Sequence, residues 1–154
     1  SDIELNKIEE KIFPERVGIF LKRKIKNNSD IELSIRELEN LTDNNNSIFI
    51  GKVGVSLKKE NIINKKFEYD ELFILPEDEK YEDKFIKKFP KGKYVCINFQ
   101  GSHSEAYTYY EILLNYIIEN QYTIIGDSFE RTLIDFGLTN NINEYITEIQ
   151  IPIK

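Results

Sequence analysis

Two periodicities alternate along the chain, and they divide it into strands and helices. Val17 to Ile25 (VGIFLKRKI) opens as an apolar, β-prone run and then turns basic, which predicts a first strand. Ahead of it Leu5, Ile8 and Ile12 fall at helical spacing and Pro14 breaks the pattern, which predicts the tail of a helix. Ser29-Asp30 offers an N-cap for a helix through Ile31, Leu33, Ile35, Leu38 and Leu41, closed by the turn at Asp43 to Asn46. Strands follow at Ile48 to Leu57 and at Phe67 to Leu75. In the second, Phe67, Tyr69 and Glu71 share one face, with Glu68, Asp70 and Leu72 on the other. Pro76 stops it before the charged run Glu77 to Lys80.

The same order returns in the last third. The turn Phe89-Pro90-Lys91-Gly92 leads into a strand over Lys93 to Phe99, and Gly101-Ser102 introduces a helix from about Ser104 to Glu119. Ile112, Leu113, Tyr116 and Ile117 form its expected buried face. A strand lies within Tyr122 to Phe136, and Asn140-Asn141 turns the chain into a closing strand over Glu144 to Ile153. Strand, helix, strand, strand thus occurs twice, over about 17–76 and 91–154. The expected architecture is α+β: an antiparallel sheet with helices on one face and a ligand pocket between the two halves. The sheet face away from the helices is the expected concave, open surface. Residues 1–13 read as the end of a linker helix, and 14–154 as a single domain.

Composition narrows the function. The chain has 154 residues, 40% hydrophobic and 31% charged, which suits one domain with its own core. A net charge of −6 argues against a nucleic-acid groove, and the Lys clusters (Lys22 to Lys26, Lys58-Lys59, Lys65-Lys66, Lys87-Lys88) read as solvated surface. The single cysteine, Cys96, lies in an apolar run and reads as a small buried hydrophobe. His103 is the one histidine and has no Cys or second His to join it in a metal site, so neither metal nor cofactor is expected. No apolar stretch spans a bilayer and no signal peptide leads the chain, so a cytoplasmic setting is expected. The chain contains no Met and opens Ser1-Asp2, as expected of an excised fragment or a processed start.

One residue carries chemistry. Glu130 sits in the run Ile124 to Ile134, and a core-facing carboxylate is either paired with a cation or kept for binding one. Arg131 and Lys93 are the candidate structural partners. Neighbours on a strand face opposite sides, which leaves Arg131 poorly placed.

Phe89-Pro90-Lys91-Gly92-Lys93-Tyr94, Gly101-Ser102, the Tyr-containing helix, Asn120-Gln121-Tyr122, Gly126-Asp127, Glu130 and Glu144 to Ile153 form a recognisable string. It resembles the GyrI-like small-molecule-binding domain, above all the C-terminal effector-binding domain of MerR-type multidrug-responsive transcription regulators. Upstream of Phe89 the likeness is limited to Pro14-Glu15-Arg16 and to element order, and Gln121 stands where the family usually has Gly. The resemblance implies a central aromatic pocket for lipophilic, often cationic compounds, with its glutamate at Glu130 and a lining aromatic at Tyr145. Phe99 joins them by resemblance and strand phase, followed by Tyr69, Tyr107, Tyr110 and Phe136 as candidate walls. It also implies that DNA is contacted only through an upstream helix-turn-helix that this chain lacks, and that the full-length regulator dimerises through a helix ahead of this domain. The expected function is therefore effector sensing, not catalysis. The alternatives are a small-molecule hydrolase and a stand-alone protein-binding or drug-sequestering inhibitor.

Overall fold

A computed structural model of the chain describes residues 3–25, 30, 53–75, 86–132 and 145–154. Among these the alternating segments form eight strands: β1 (Glu9–Phe13), β2 (Arg16–Ile25), β3 (Val53–Ser56), β4 (Tyr69–Ile74), β5 (Ile86–Phe89), β6 (Gly92–Gln100), β7 (Phe129–Thr132) and β8 (Ile146–Ile153). A short helix α1 (Lys59–Ile63) follows β3, and a 3-10 turn (His103–Glu105) leads into the long helix α2 (Ala106–Glu119). The strands make one antiparallel sheet in the order β1-β6-β8-β7-β3-β4-β2-β5. The expected α+β fold is the one observed. The expected first-half helix from Ser29 to Leu41 falls on residues that, Asp30 excepted, lie outside those described.

The two halves meet at the β3–β7 pair, where Gly54 faces Arg131 and Val55 faces Glu130. On one side of this seam run β4 and β2, on the other β8 and β6, so the strand order repeats about it. Each half also lends a strand to the other. β1 leads into β2 yet pairs with β6, while β5 leads into β6 yet pairs with β2. These two lending strands are what the sequence hid. Leu5, Ile8 and Ile12 match a helix at only three positions, too few to support one in water. Instead, residues 9–13 extend along the edge of β6, with Ile12 80% exposed. Over residues 3–13 the linker-helix reading does not hold, and Lys87-Lys88, read as solvated surface, lies in β5.

Alternation gives the two sheet faces different cores. Val55, Leu72, Val95, Ile97, Ile149 and Ile151 share a cluster with Tyr110, Leu113, Leu114 and Ile117 of α2. Helical spacing places Ala106, Tyr110, Leu113, Leu114 and Ile117 on the buried side. Ile112, expected there, is one residue off that stripe and is exposed. The other face carries the ring cluster Phe73, Phe89 and Phe129. Phe89 on terminal β5 and Phe129 on β7 have three strands between them, about 19 Å at the usual strand spacing. Their ring centroids are 4.9 Å apart. The sheet therefore curls, and this face is its concave side. Between β5 and β7 it is not the open surface expected from the sequence, because the rings and the guanidinium of Arg16 fill it there. That guanidinium stands 4.1 Å from the Phe129 centroid and 4.2 Å from that of Phe13.

Lys87 anchors the lent strand. Its Nζ donates to the Asp127 carboxylate at 2.7 Å and to Glu71, which Lys58 also meets at 2.8 Å. Asp127 in turn accepts from the Lys59 N–H at 2.8 Å, capping α1, whose own N-cap residue, Lys58, makes no side-chain cap.

Two outcomes follow from this packing. A Cβ at Gly54 would stand 2.3 Å from Phe73 Cζ and 2.4 Å from the Glu130 carbonyl, so Gly54→Ala should lower stability by about 2 kcal/mol in urea unfolding. Burial pushes the Asp127 carboxyl up, but Lys87 and the Lys59 N–H outweigh it and hold the group below its ordinary value. A depressed folded-state value stabilises above the unfolded carboxylate range and is lost as pH falls through the folded one. The urea-midpoint gap between wild type and Asp127→Asn should accordingly be full near pH 6 and close as the pH drops toward 2.

Candidate ligand site at the seam

Glu130 is 0% exposed, and its carboxylate lies on the sheet face that α2 covers, with Val55 and Ile149 directly across on the neighbouring strands. The sequence expectation put the ligand surface on the opposite face. Strand phase decides otherwise: Glu130 follows Phe129, whose ring belongs to the concave cluster, so its own side chain faces α2.

Both halves satisfy the carboxylate. The Tyr69 hydroxyl, from β4, donates to Oε1 at 2.6 Å, and the Tyr110 hydroxyl, from α2, donates to the same oxygen at 2.8 Å. Oε2 meets Nδ1 of His103, in the turn before α2. Behind these partners runs a chain of hydroxyls. Ser128 Oγ accepts from the Leu57 N–H at 2.9 Å and lies 2.7 Å from the Tyr110 hydroxyl. With Tyr110 donating to Glu130, Ser128 is left to donate to Tyr110, so the dipoles run in one direction toward the carboxylate. The Ser56 hydroxyl closes the seam by donating to the Ser128 carbonyl at 2.6 Å.

Burial, then the Glu130 charge, pushes both phenols well above their ordinary range, so Tyr69 and Tyr110 remain hydrogen-bond donors at any physiological pH. Burial likewise pushes the Cys96 thiol up to about 12, which removes it as a nucleophile and fits its reading as a small buried hydrophobe.

The sequence candidates divide. Tyr69 and Tyr110 converge on Glu130. Phe99 is buried and stacks on Tyr109, with centroids 4.1 Å apart. Tyr145 is buried just before β8, and its carbonyl accepts from the Gly101 N–H at 2.7 Å in the loop that leads to His103. Tyr107 is 56% exposed, on the side of α2 turned away from the sheet, and does not reach the carboxylate. Phe136 lies outside the described residues. The structural partners considered for Glu130 are engaged elsewhere. Arg131 projects to the other face and binds Glu148 at 3.3 Å, and Lys93 meets Glu10 at 3.3 Å. Two residues went unforeseen. Phe67 stacks on Tyr110 at 5.6 Å, and His103 meets Glu130, although the sequence marks it only as a candidate metal ligand without companions. No local signal marks His103, because it meets Glu130 across 27 residues through the return of β7 beside β8.

An open groove of about 780 Å³ lies apart from this site, lined by Glu9, Lys11, Asn98, Arg131 and Glu148 among others. Its walls are polar and its buried carboxylate, Glu148, is already matched by Arg131 and Lys11.

Removing one donor at the seam should be costly. Tyr110→Phe leaves Glu130 and Ser128 each short of a buried partner, and should lower stability by about 1–3 kcal/mol. Tyr107→Phe, at an exposed position on the same helix, should stay within about 0.5 kcal/mol of wild type in the same urea titration.

Several solved structures share the fold of this chain. The EcmrR C-terminal domain superposes with a TM-score of 0.70 at 16% identity, over 96% of this chain and 97% of that one. EcmrR in a complex with DNA gives 0.68 at 16% identity, and there this chain spans 57% of the EcmrR chain. SAV2435 bound to tetraphenylphosphonium gives 0.58 at 17% identity, over 96% of this chain and 94% of that one. A Listeria innocua protein described as a hydrolase gives 0.59 at 12% identity, over 97% and 93%. At such identities the likeness is one of fold. A comparison with curated proteins finds no match. The model of the GyrI-like small molecule binding domain matches residues 6–154, nearly the whole chain, and the chain belongs to that family.

Proposed function

We propose that this domain binds lipophilic cations at Glu130 and serves as the effector-sensing part of a transcription regulator. The observation that carries the reading is the setting of the carboxylate. It is fully buried, and among the described residues its partners are two phenols and an imidazole, with no Lys or Arg. A buried acid with a purely structural role is commonly paired with a fixed guanidinium or ammonium. Hydroxyl donors instead orient the carboxylate and leave its charge available to a guest.

Aromatic faces supply the rest of such a site. Tyr69, Tyr110, Phe67 and the stacked pair Phe99–Tyr109 surround or adjoin the seam, and each face presented to a desolvated cation adds roughly 0.5–2 kcal/mol. A protein of this fold, SAV2435, has been seen with tetraphenylphosphonium, a ligand with that combination of apolar bulk and single positive charge. Another, EcmrR, occurs with DNA, and this chain matches its C-terminal domain. On this reading the negatively charged domain leaves DNA to a separate upstream module and acts in the cytoplasm, within a dimer of the complete regulator. Ligand occupancy reaches that module only through a difference in affinity between two conformations.

Isothermal titration of the domain with tetraphenylphosphonium and with neutral triphenylphosphine oxide tests the proposal. Micromolar binding of the cation, weakened at least tenfold by Glu130→Gln while the neutral compound is unaffected, is the expected result. Equal binding of both compounds, indifferent to the substitution, would reduce Glu130 to a structural role.

A further inference from the structure

We propose that His103 makes cation binding at the site pH-dependent by acting as a built-in counter-cation, which closes on Glu130 and which an incoming ligand cation displaces. This deepens the cation-binding reading above and rests on it.

The two oxygens of Glu130 are engaged differently. Oε1 holds both phenolic donors, which come from regular elements, β4 and α2. Oε2 meets His103, which opens the 3-10 turn between β6 and α2, two residues after Gly101 with its positive φ of 138°. A partner on a three-residue turn can leave with less disruption than one on a strand or helix, whose backbone is held by its neighbours. His103 is also the way in. Its side chain keeps 11% of its surface exposed, whereas that of Glu130 keeps none. A guest approaching Oε2 along this side meets the imidazole first.

An imidazolium is a flat, aromatic, singly charged cation, and so occupies the carboxylate much as the proposed ligands would. The described titratable groups around it are Glu130 on β7, Tyr69 on β4, Tyr110 on α2 and Glu105 in its own turn. The Tyr69 ring stands edge-on at 6.2 Å, and its hydroxyl also lies 3.4 Å from the His103 carbonyl. Both phenols stay neutral through the physiological range, and histidine is the side chain whose ordinary titration falls between pH 5 and 8. A ligand cation that meets protonated His103 must replace a charged pair. One that meets neutral His103 replaces only an N–H hydrogen bond. Displacement therefore releases a proton to solvent, and cation affinity rises with pH. By linkage the ligand must favour the neutral imidazole to the same degree.

The test is binding of tetraphenylphosphonium at pH 5.5 to 8 by wild type, His103→Gln and Glu130→Gln, each checked by thermal melting. Gln keeps a neutral N–H donor for Oε2, so the carboxylate stays satisfied. Wild type is expected to bind at least tenfold more tightly at pH 8 than at pH 5.5. His103→Gln should vary less than twofold across that range. Because the chain has a single histidine, its imidazole resonance gives a second readout: adding ligand to wild type at pH 6 should move it toward the neutral form. Glu130-dependent binding with the same pH slope in His103→Gln, or an unmoved imidazole signal, would overturn the counter-cation role and leave the cation-site reading standing. Failure of both wild type and His103→Gln to bind at every pH would overturn the two together.

Discussion

A carboxylate withdrawn from water is tolerable only where several donors converge on it, and at Glu130 those donors come from both halves of the chain. Tyr69 arrives from β4, Tyr110 and His103 from the segment after β6, and Ser128 reinforces Tyr110 from the strand entry itself. The convergence requires β3 to lie against β7 in one register, Val55 across from Glu130, because a one-residue slip would turn the carboxylate to the other face. Gly54 permits that approach, having no Cβ to meet Phe73 and the Glu130 carbonyl. The polar cluster and the closeness of the seam are thus one constraint seen from two sides.

Reciprocal strand lending makes the halves inseparable. β1 and β5 each cover the outer edge of the half they do not lead, so neither half keeps a complete sheet alone. The curl that follows brings β5 back over β7 and fills the concave face with three phenylalanine rings and Arg16. Lys87 fixes the returning strand through Glu71 and Asp127, and Asp127 then caps α1. On the face under α2, by contrast, the buried acid Glu130 meets phenolic donors.

Legibility in the sequence followed how local the determining interaction was. β6, α2 and β8 could be read closely, because alternation and helical spacing are properties of the segment itself. β1 and β5 could not. Their strand character comes from pairing with β6 and β2, and Ile12 and Lys87 look locally like a helical stub and a solvated cluster. Within the site, burial of Glu130 was legible from its apolar flanks and Arg131 was correctly set aside by strand alternation. The face it occupies was not, since that depends on which side α2 packs. Tyr107 and Tyr110 are nearly equivalent in sequence, and only the Ala106, Tyr110, Leu113, Leu114 stripe separates the buried ring from the exposed one. His103 offered no periodic signal at all.

On the proposed reading, the site holds a buried charge without a guest and can still admit one. An acid left with a vacant oxygen would destabilise the unliganded fold, and a guanidinium fixed beside it would exclude any other cation. Hydroxyls on Oε1 with an imidazole on Oε2 avoid both difficulties. The phenols hold the carboxylate in position whichever cation is present, so exchange at Oε2 need not unmake the seam. The imidazole belongs to the turn that opens α2, the helix lying over this face, so a change of partner at Oε2 acts directly on the N-terminal end of that helix. On the proposed reading, a carboxylate shared in this way would couple occupancy to the position of a packed element through contacts already in the fold, which is the physical requirement for a ligand to favour one conformation over another.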